Sequence, residues 1–513
     1  MERSRKRFGL GIIGALIGTS LALGAGPGTA LGANSCVAPG GAGGCSSTIQ
    51  AALDAATAGD TITVKAGTYN ENLVISKPVT LQGAGAATTV INANAANPKE
   101  GVIVDKVTSG ATTITGFTIQ NAALSAVLIS DSSNVTVSNN VVENNDKNLK
   151  FPTDPTQGPS CAGAFPFDQD DCGEAIHLRG ASNSSVLNNL VTNNAGGILL
   201  TDETGATHDN RIDGNTVVDN ILDCGITLAS HPSSVGPPAS PGGPPSFVPG
   251  GGVFNNQVTN NTSEGNGAAG VGVFASVPGT SAYNNLVQGN MLLNNGIAGV
   301  SLHSHAPNQK LDNNQIIGNT IGTNNIFGDG DSGDFVTTGI LVMGAVVPAK
   351  GTVITGNTIT GNHVGIWLAN TVDTTISGNT ISAALPIVHA SPPAFTGTGL
   401  NKTFVVPQLG LTATSTSASF TVGFSSVKPG QGFVLFGTGP GCTGLVEIAT
   451  RDQGAGTTSH IVQVTGNDLA GTVGDIGLTP GGTYYYELLT ASSSGVEADN
   501  NGGSCYKVTV PAA

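Results

Sequence analysis

Seven stretches of the chain share a Gly-aliphatic-x-aliphatic pattern: "GEAIHLRG" (173), "AGGILLTDE" (195), "DCGITLASH" (223), "AAGVGVFAS" (268), "IAGVSLHSH" (297), "TTGILVMGA" (337) and "HVGIWLANT" (363). Taking the first aliphatic residue of each as an anchor gives Ile176, Ile198, Ile226, Val271, Val300, Ile340 and Ile366. Two positions later stand Leu178, Leu200, Leu228, Val273, Leu302, Val342 and Leu368. Alternation with a period of two predicts strands whose anchor and anchor+2 side chains share one buried face.

Asparagines mark a second rhythm. Pairs five apart flank short Val/Ile runs: Asn140 and Asn145, Asn189 and Asn194, Asn215 and Asn220, Asn261 and Asn266, Asn290 and Asn295, Asn319 and Asn324, Asn357 and Asn362. Asparagine tolerates left-handed backbone and bonds neighbouring peptide groups, so stacked asparagines suit the corners of a coil. They are read as structural, with no chemistry assigned. Anchor spacings are 22, 28, 45, 29, 40 and 26 residues, and the long ones contain the inserts "PSSVGPPASPGGPPSFVPGGG" (232–252) and "NIFGDGDSGDFV" (325–336). Removing the inserts leaves a period in the mid-twenties, which predicts a solenoid in which each rung buries its aliphatics against the next.

On these repeats the chain resembles the right-handed parallel β-helix proteins of the pectin-lyase-like superfamily. The stretch "STIQAALDAATAGDTITVKAGTYNENLVISKPVTLQGAG" (47–85) looks like that superfamily's entry segment. It implies an amphipathic helix capped by Ser46 or Ser47, with Ile49, Leu53 and Ala56 against the end of the coil. The resemblance covers about residues 46–385; it implies an all-β fold and leaves activity open, because this scaffold hosts many chemistries and none. The expected organisation is a β-helix over 34–385, a linker over 386–402 and a different β pattern over 403–513. Within the last, "LTPGGTYYYELLTA" (478–491) resembles the corner of a fibronectin type III or immunoglobulin-like sandwich, through Leu478, Pro480 and Tyr484.

Composition places the chain in a compartment. Arg3, Arg5, Lys6 and Arg7 precede an apolar run to about Leu23 and small residues near Ala30, the pattern of a secretory signal peptide over 1–33. Asn34 and Ser35 before Cys36 exclude a lipobox. The formal charge of −15 becomes about −18 without those residues, with 14 basic and 32 acidic groups left, so neither nucleic acid nor an anionic membrane surface is an expected partner. All seven cysteines follow the cleavage site; Cys36 with Cys45, Cys161 with Cys172, and Cys442 with Cys505 are the expected disulfides, leaving Cys224 as a buried apolar thiol.

Candidate chemistry comes from the outward positions +1, +3 and +5. Rung by rung these are His177 and Arg179; Leu199, Thr201 and Glu203; Thr227, Ala229 and His231; Phe274 and Ser276; Ser301, His303 and His305; Leu341 and Met343; and Trp367. Four of the eight histidines and the only tryptophan thus share one face, where a solvated wall would carry Thr, Ser, Asn and Lys. With rungs about 4.8 Å apart, Glu203 and His231 come side by side at +5 of consecutive rungs, and a carboxylate beside an imidazole builds a general base. His305 shares that column two rungs on, about 10 Å away. Glu203, His231, His303, His305, His177 and Arg179 are therefore the catalytic candidates, and Phe274 and Trp367 the substrate-binding ones. The inserts, including the segment 146–172, flank this ladder and are placed to wall a groove. Their acidic clusters, Asp168, Asp170, Asp171 and Glu174, then Asp329, Asp331 and Asp334, alternate with small residues in a way that lets oxygens converge on Ca²⁺; neither follows the EF-hand loop, and a solvated turn is the plain alternative.

Three function classes follow. The first is a secreted enzyme acting on polysaccharide, a glycosidase using Glu203 with an insert aspartate or a lyase or epimerase. The scarcity of Lys and Arg speaks against polyuronate chemistry, which must neutralise a substrate carboxylate. The second is a non-catalytic surface or carbohydrate-binding protein. The third is metal handling, since the repeat also resembles the periplasmic β-helix protein that serves copper maturation of nitrous oxide reductase; 3 Met and paired cysteines rank it last.

Overall fold

The computed structural model describes residues 34–512 except 95–99, 148, 151–159, 162–173, 221, 237–245, 330–331, 333, 335, 391–407, 414–417, 440–444, 450, 453–456, 466–477, 493–494, 500 and 502–503. The expected leader 1–33, the Cys161 and Cys442 disulfides through their partners or themselves, Asp168, Asp170, Asp171, Asp331 and most of the linker lie outside the described residues. No helix among the described residues is long and apolar enough to cross a membrane.

The repeat closes into a right-handed parallel β-helix with three ladders of short strands. One ladder is a 12-stranded parallel sheet, and the other two join into a 20-stranded one because Thr358–Ala369 and Thr380–Ala390 run through the corner between them. The motif found in the sequence is the third ladder, and its register matches the anchors: Ile176 pairs with Ile198, Ile198 with Ile226, Ile226 with Val271, Val271 with Val300, Val300 with Ile340 and Ile340 with Ile366. Anchors and anchor+2 residues all lie in one continuous core, so parallel stacking buries like on like.

The helix Ile49–Ala55 packs Ile49, Ala52 and Leu53 into that core, with Ala56 beside them. Its cap is Thr48, whose Oγ1 accepts from Ala51 N–H at 3.3 Å, in place of Ser46 or Ser47. The reason lies one rung on: the Glu71 carboxylate accepts from Ile49 N–H at 2.8 Å and Gln50 N–H at 2.9 Å, which sets the helix start. Cys36 and Cys45 form the expected disulfide. Cys224 is free and buried, its thiol pushed up by burial. The coil also runs past 385: the last strand extends to Ala390, pairing Ile387 with Ile366 and Val388 with Trp367.

Three asparagine columns line the corners, one more than the two read from the sequence. Asn140, Asn189, Asn215, Asn261, Asn290, Asn319 and Asn357 form one column. Asn145, Asn194, Asn220, Asn266, Asn295 and Asn324 form the second. Asn210, Asn256, Asn285 and Asn314, each five residues before a member of the first column, form the third. In each column an amide Nδ2 donates to the Oδ1 of the next rung and to a core-strand carbonyl, as Asn261 does to Asn290 at 3.0 Å and to Ile212 O at 2.9 Å. These buried asparagines keep ordinary backbone; the residue before each of them except Asn324 takes the left-handed conformation, as Asn188 (φ 54°), Asp219 (φ 57°) and Gly289 (φ 67°) do.

The C-terminal residues form a separate eight-stranded sheet system around Phe420, Val422, Val434, Phe436, Tyr486 and Leu488. Tyr484 OH accepts from Thr479 N–H at 2.7 Å, tying the turn at Pro480 to its strand. In this unit Glu487 is fully buried, and among the described residues neither carboxylate oxygen has a hydrogen-bond partner. Burial, helped by the Asp499 charge, pushes it to about 8.

Two expectations follow. Asn261→Ala removes four ladder hydrogen bonds and strands buried N–H groups, so it should cost about 3 kcal/mol in urea unfolding; an unmoved midpoint would refute the ladder as a stabilising element. Glu487 holds a proton in the folded state that the unfolded chain releases near its ordinary 4.5, so the C-terminal unit should lose stability as pH rises from about 4.5 to 8. Glu487→Gln should abolish that slope and unfold later than the parent at pH 8, followed through tyrosine circular dichroism.

Candidate functional site

Within the third ladder, side chains at the +1, +3 and +5 positions of three consecutive rungs, those anchored at Ile176, Ile198 and Ile226, meet in one hydrogen-bonded chain. Thr201 Oγ1 donates to Glu203 Oε2. That fixes the neighbouring bond, so His177 Nε2–H donates to Thr201 Oγ1 at 2.7 Å. His231 Nδ1–H donates to Glu203 Oε1 at 2.8 Å. The expected pairing of Glu203 with His231 is therefore present, with His177 joined to it through Thr201, to which the sequence reading gave no role. The Glu203 side chain is fully buried and that of His231 is 12% exposed. Burial pulls His177 down to about 4, against the raising effect of Glu203, so the ring is neutral and serves as a donor. With Nδ1 committed to Glu203, His231 presents Nε2 as its proton-accepting atom.

Asp202, between Thr201 and Glu203 in sequence, turns the other way. Its Oδ1 accepts from His231 N–H at 2.7 Å; its Oδ2 accepts from Gly252 N–H at 2.6 Å and from Ser230 Oγ at 3.0 Å. The 232–252 insert leaves the ladder after His231 and returns at Gly252, so one fully buried carboxylate holds both of its ends. Burial pushes Asp202 up to about 6. Neighbouring acids thus divide the work: Asp202 sets the His231 backbone and Glu203 its ring. Inside the insert Pro232–Gly236 pairs antiparallel with Ser246–Pro249. An acidic residue just beyond an anchored strand was the only sequence sign of this clasp.

The other candidates lie elsewhere on the ladder. Arg179 is half-buried and its Nη2 donates to Ser130 Oγ at 3.4 Å, toward the preceding rung. His303 belongs to a second group three rungs from Glu203: its Nε2 lies 3.0 Å from Asp329 Oδ2 and 2.9 Å from Ser301 Oγ. Its ring stands edge-on to Phe274 and to His305, each at 5.5 Å. The His305 N–H and the Ala306 N–H both donate to Gln309 Oε1. His303 and His305 are thus brought together with each other and not with the Glu203 chain.

Two expectations are corrected by burial. Much of the outward face is buried, Leu199, Ser301, His303, Leu341 and Met343 included, while Arg179, His231, Phe274, Ser276 and His305 stay partly exposed, so it is not one open groove. Trp367, 8% exposed, packs with Ala298, Leu341, Met343, Val364 and Ala369 and has no free face for a sugar. Phe274 is half-buried against His303. The apolar residues that set this face apart from a solvated wall are there because it is packed. Of the Asp329, Asp331 and Asp334 set, two are described. Asp329 turns to His303, and its N–H donates to Asp334 O at 2.7 Å; Asp334 is raised to about 7 by burial and by the Asp329 charge. Among the described residues no three His, Cys, Asp or Glu side chains converge as metal ligands; Asp331 lies outside the described residues.

Asp202→Ala strands the His231 and Gly252 N–H groups. It should speed chymotryptic cleavage after Phe247 at least tenfold while the far-ultraviolet spectrum of the coil is kept; unchanged cleavage would show that the clasp does not hold the insert.

Solved structures with similar coils include the A-module of the Azotobacter vinelandii mannuronan C-5 epimerase AlgE4, 17% identical over 67% of this chain and 93% of that one, with a TM-score of 0.36. An alginate lyase from Paenibacillus sp. str. FPU-7 is 13% identical over 65% and 96%, with a TM-score of 0.32. Pectate lyase Pel9A is 14% identical over 68% and 78%, with a TM-score of 0.34. These likenesses carry nothing about chemistry. No curated protein matches the chain. The profile described as "Right handed beta helix region" matches residues 79–235 and 248–381, more than half of the sequence. With the ladders and their register, this places the chain in the right-handed β-helix family.

Proposed function

We propose that the protein is exported and acts on polysaccharide, with His231 as the proton acceptor of a lyase- or epimerase-type reaction. The observation that carries this reading is the His177–Thr201–Glu203–His231 chain, in which each group is set by the next and the last is the one that meets solvent. Glu203 stabilises the imidazolium formed when Nε2 takes a proton; Thr201 and the neutral His177 keep its carboxylate aligned. Arg179 is the basic side chain on the described outward positions of these rungs, and its role is to face a substrate carboxylate.

A two-carboxylate glycosidase is less well supported. Both oxygens of Glu203 are engaged, and Asp329 lies against the fifth rung, three rungs or about 14 Å along the coil from Glu203. That exceeds the roughly 6.5–9.5 Å of an inverting pair. The Cys36–Cys45 disulfide supports export. The packing of the rest of the face favours a second reading, a non-catalytic carbohydrate-binding protein.

Residues 34–513, incubated with acidic and neutral polysaccharides, should raise reducing ends together with unsaturated-uronate absorbance, or invert C-5 by proton NMR. His231→Ala should lower the rate by about 10³-fold, with polymer binding kept. Retention of a polymer without product would establish the second reading, and full activity of His231→Ala would remove His231 from the reaction.

A further inference from the structure

The insert that returns at the sixth rung has two sides. One carries Asp329 onto His303. The other carries Ile326 and Phe327, 47% and 72% exposed, the latter the most exposed large hydrophobic residue described. Singly exposed aliphatics are ordinary, but a phenyl ring left almost wholly in water is not.

The ring is not on a loose loop. Asn325 N–H donates to Ile297 O at 2.9 Å, Ile326 N–H to Asn295 O at 3.3 Å and Phe327 N–H to Gly296 O at 2.8 Å, so three successive peptide groups are tied to the preceding rung. The Asn325 amide bonds Asp334 O at 2.8 Å and Val336 O at 2.7 Å, closing the insert on itself. Gly296 lies directly beneath: a Cβ there would stand 2.7 Å from the Phe327 ring and 1.9 Å from Gly267 O. The ring is therefore held in place over bare backbone.

Facing it is a cleft of about 590 Å³, lined by Ile326 and Phe327 on the insert side and by Val218, Asp219, Glu264 and Asn294 at the ends of second-ladder strands. Asp219 is exposed and Glu264 half-buried. The described lining, which also includes Gly265 and Asn266, thus combines an apolar wall, two carboxylates and two amides, without a cation. We propose that this cleft binds neutral saccharides. A sugar ring offers an apolar C–H face to stack on Phe327 and Ile326. Its hydroxyls donate to Asp219 and Glu264, charge-assisted bonds stronger than those between neutral groups. Phosphate, sulfate and uronate groups meet Asp219 and Glu264 as like charges, with no cation in the described lining to offset them, and are excluded from this cleft. The cleft lies at the corner of the second and third ladders, apart from the His231 chain, and its binding does not depend on the reaction proposed there.

The test uses the full chain carrying His231→Ala, so that turnover does not interfere. Its binding to β-1,4-linked gluco-, xylo- and manno-hexaoses and to an oligouronate is measured by calorimetry and saturation-transfer NMR. A neutral hexaose should bind and the oligouronate should not. Phe327→Ala should weaken that binding at least tenfold and Phe327→Trp should keep it; Glu264→Gln should weaken it about threefold. No binding of any neutral hexaose, equal binding of the oligouronate, or binding indifferent to Phe327→Ala would each overturn the proposal. Loss of product formation in the parent protein, by contrast, bears only on His231.

Discussion

The coil rests on amide stacking. Every corner of a parallel β-helix leaves peptide groups facing inward, away from water, and a buried donor without an acceptor costs about 1–3 kcal/mol. Asparagine answers this at each rung because one side chain both donates and accepts: Asn189 takes the Asn140 N–H on its Oδ1 and passes its own Nδ2 to Asn215 and to Val137 O. The bonds run along the coil axis, so each rung is satisfied by its neighbours, and a left-handed residue before nearly every column asparagine makes the turn. The inward aliphatic columns can then stack without register error, since a slip of one residue would break three amide columns at once.

That register has a chemical consequence. Residues 28 apart in sequence, Glu203 and His231, become neighbours at 2.8 Å because their rungs are consecutive. A rigid ladder holds the pair without a dedicated scaffold, and burial supplies the low-dielectric surroundings that keep His177 neutral and strengthen the bonds along the chain. The inserts act where the ladder is interrupted. Asp202 gathers both ends of one, and Asp329 brings another onto His303. Much of the third ladder's outer face is a packed layer rather than a solvated wall, and partly exposed side chains are left at its margins, at His231 and at Phe327.

Much of this was legible beforehand, for a physical reason. Period-two alternation at fixed spacing determines which side chains point inward and which rungs are adjacent, so the anchors, the helix face formed by Ile49 and Leu53, the Cys36–Cys45 bridge and the contact of Glu203 with His231 follow from local pattern alone. The third asparagine column was equally visible in the five-residue spacing of Asn210, Asn256, Asn285 and Asn314 before their partners; it was missed because the pairs already sufficed to define a turn of coil. Ser46 and Ser47 lost the helix cap to Thr48 because Glu71, on a later strand, sets where the helix begins.

What the sequence by itself determined is therefore the coil, its register and the columns on its outer face, because stacking converts sequence period into spatial adjacency. Which of those columns meets water was decided only in three dimensions. Trp367 and the apolar +1 and +3 residues carry the same pattern whether covered or exposed, and only their packing in the folded chain, with Ala298, Val364 and Ala369 beside Trp367, settles the difference. Phe327 is exposed, Asp329 is paired and Asp202 is a clasp because of where aperiodic segments return to the ladder, and that is a property of the folded chain.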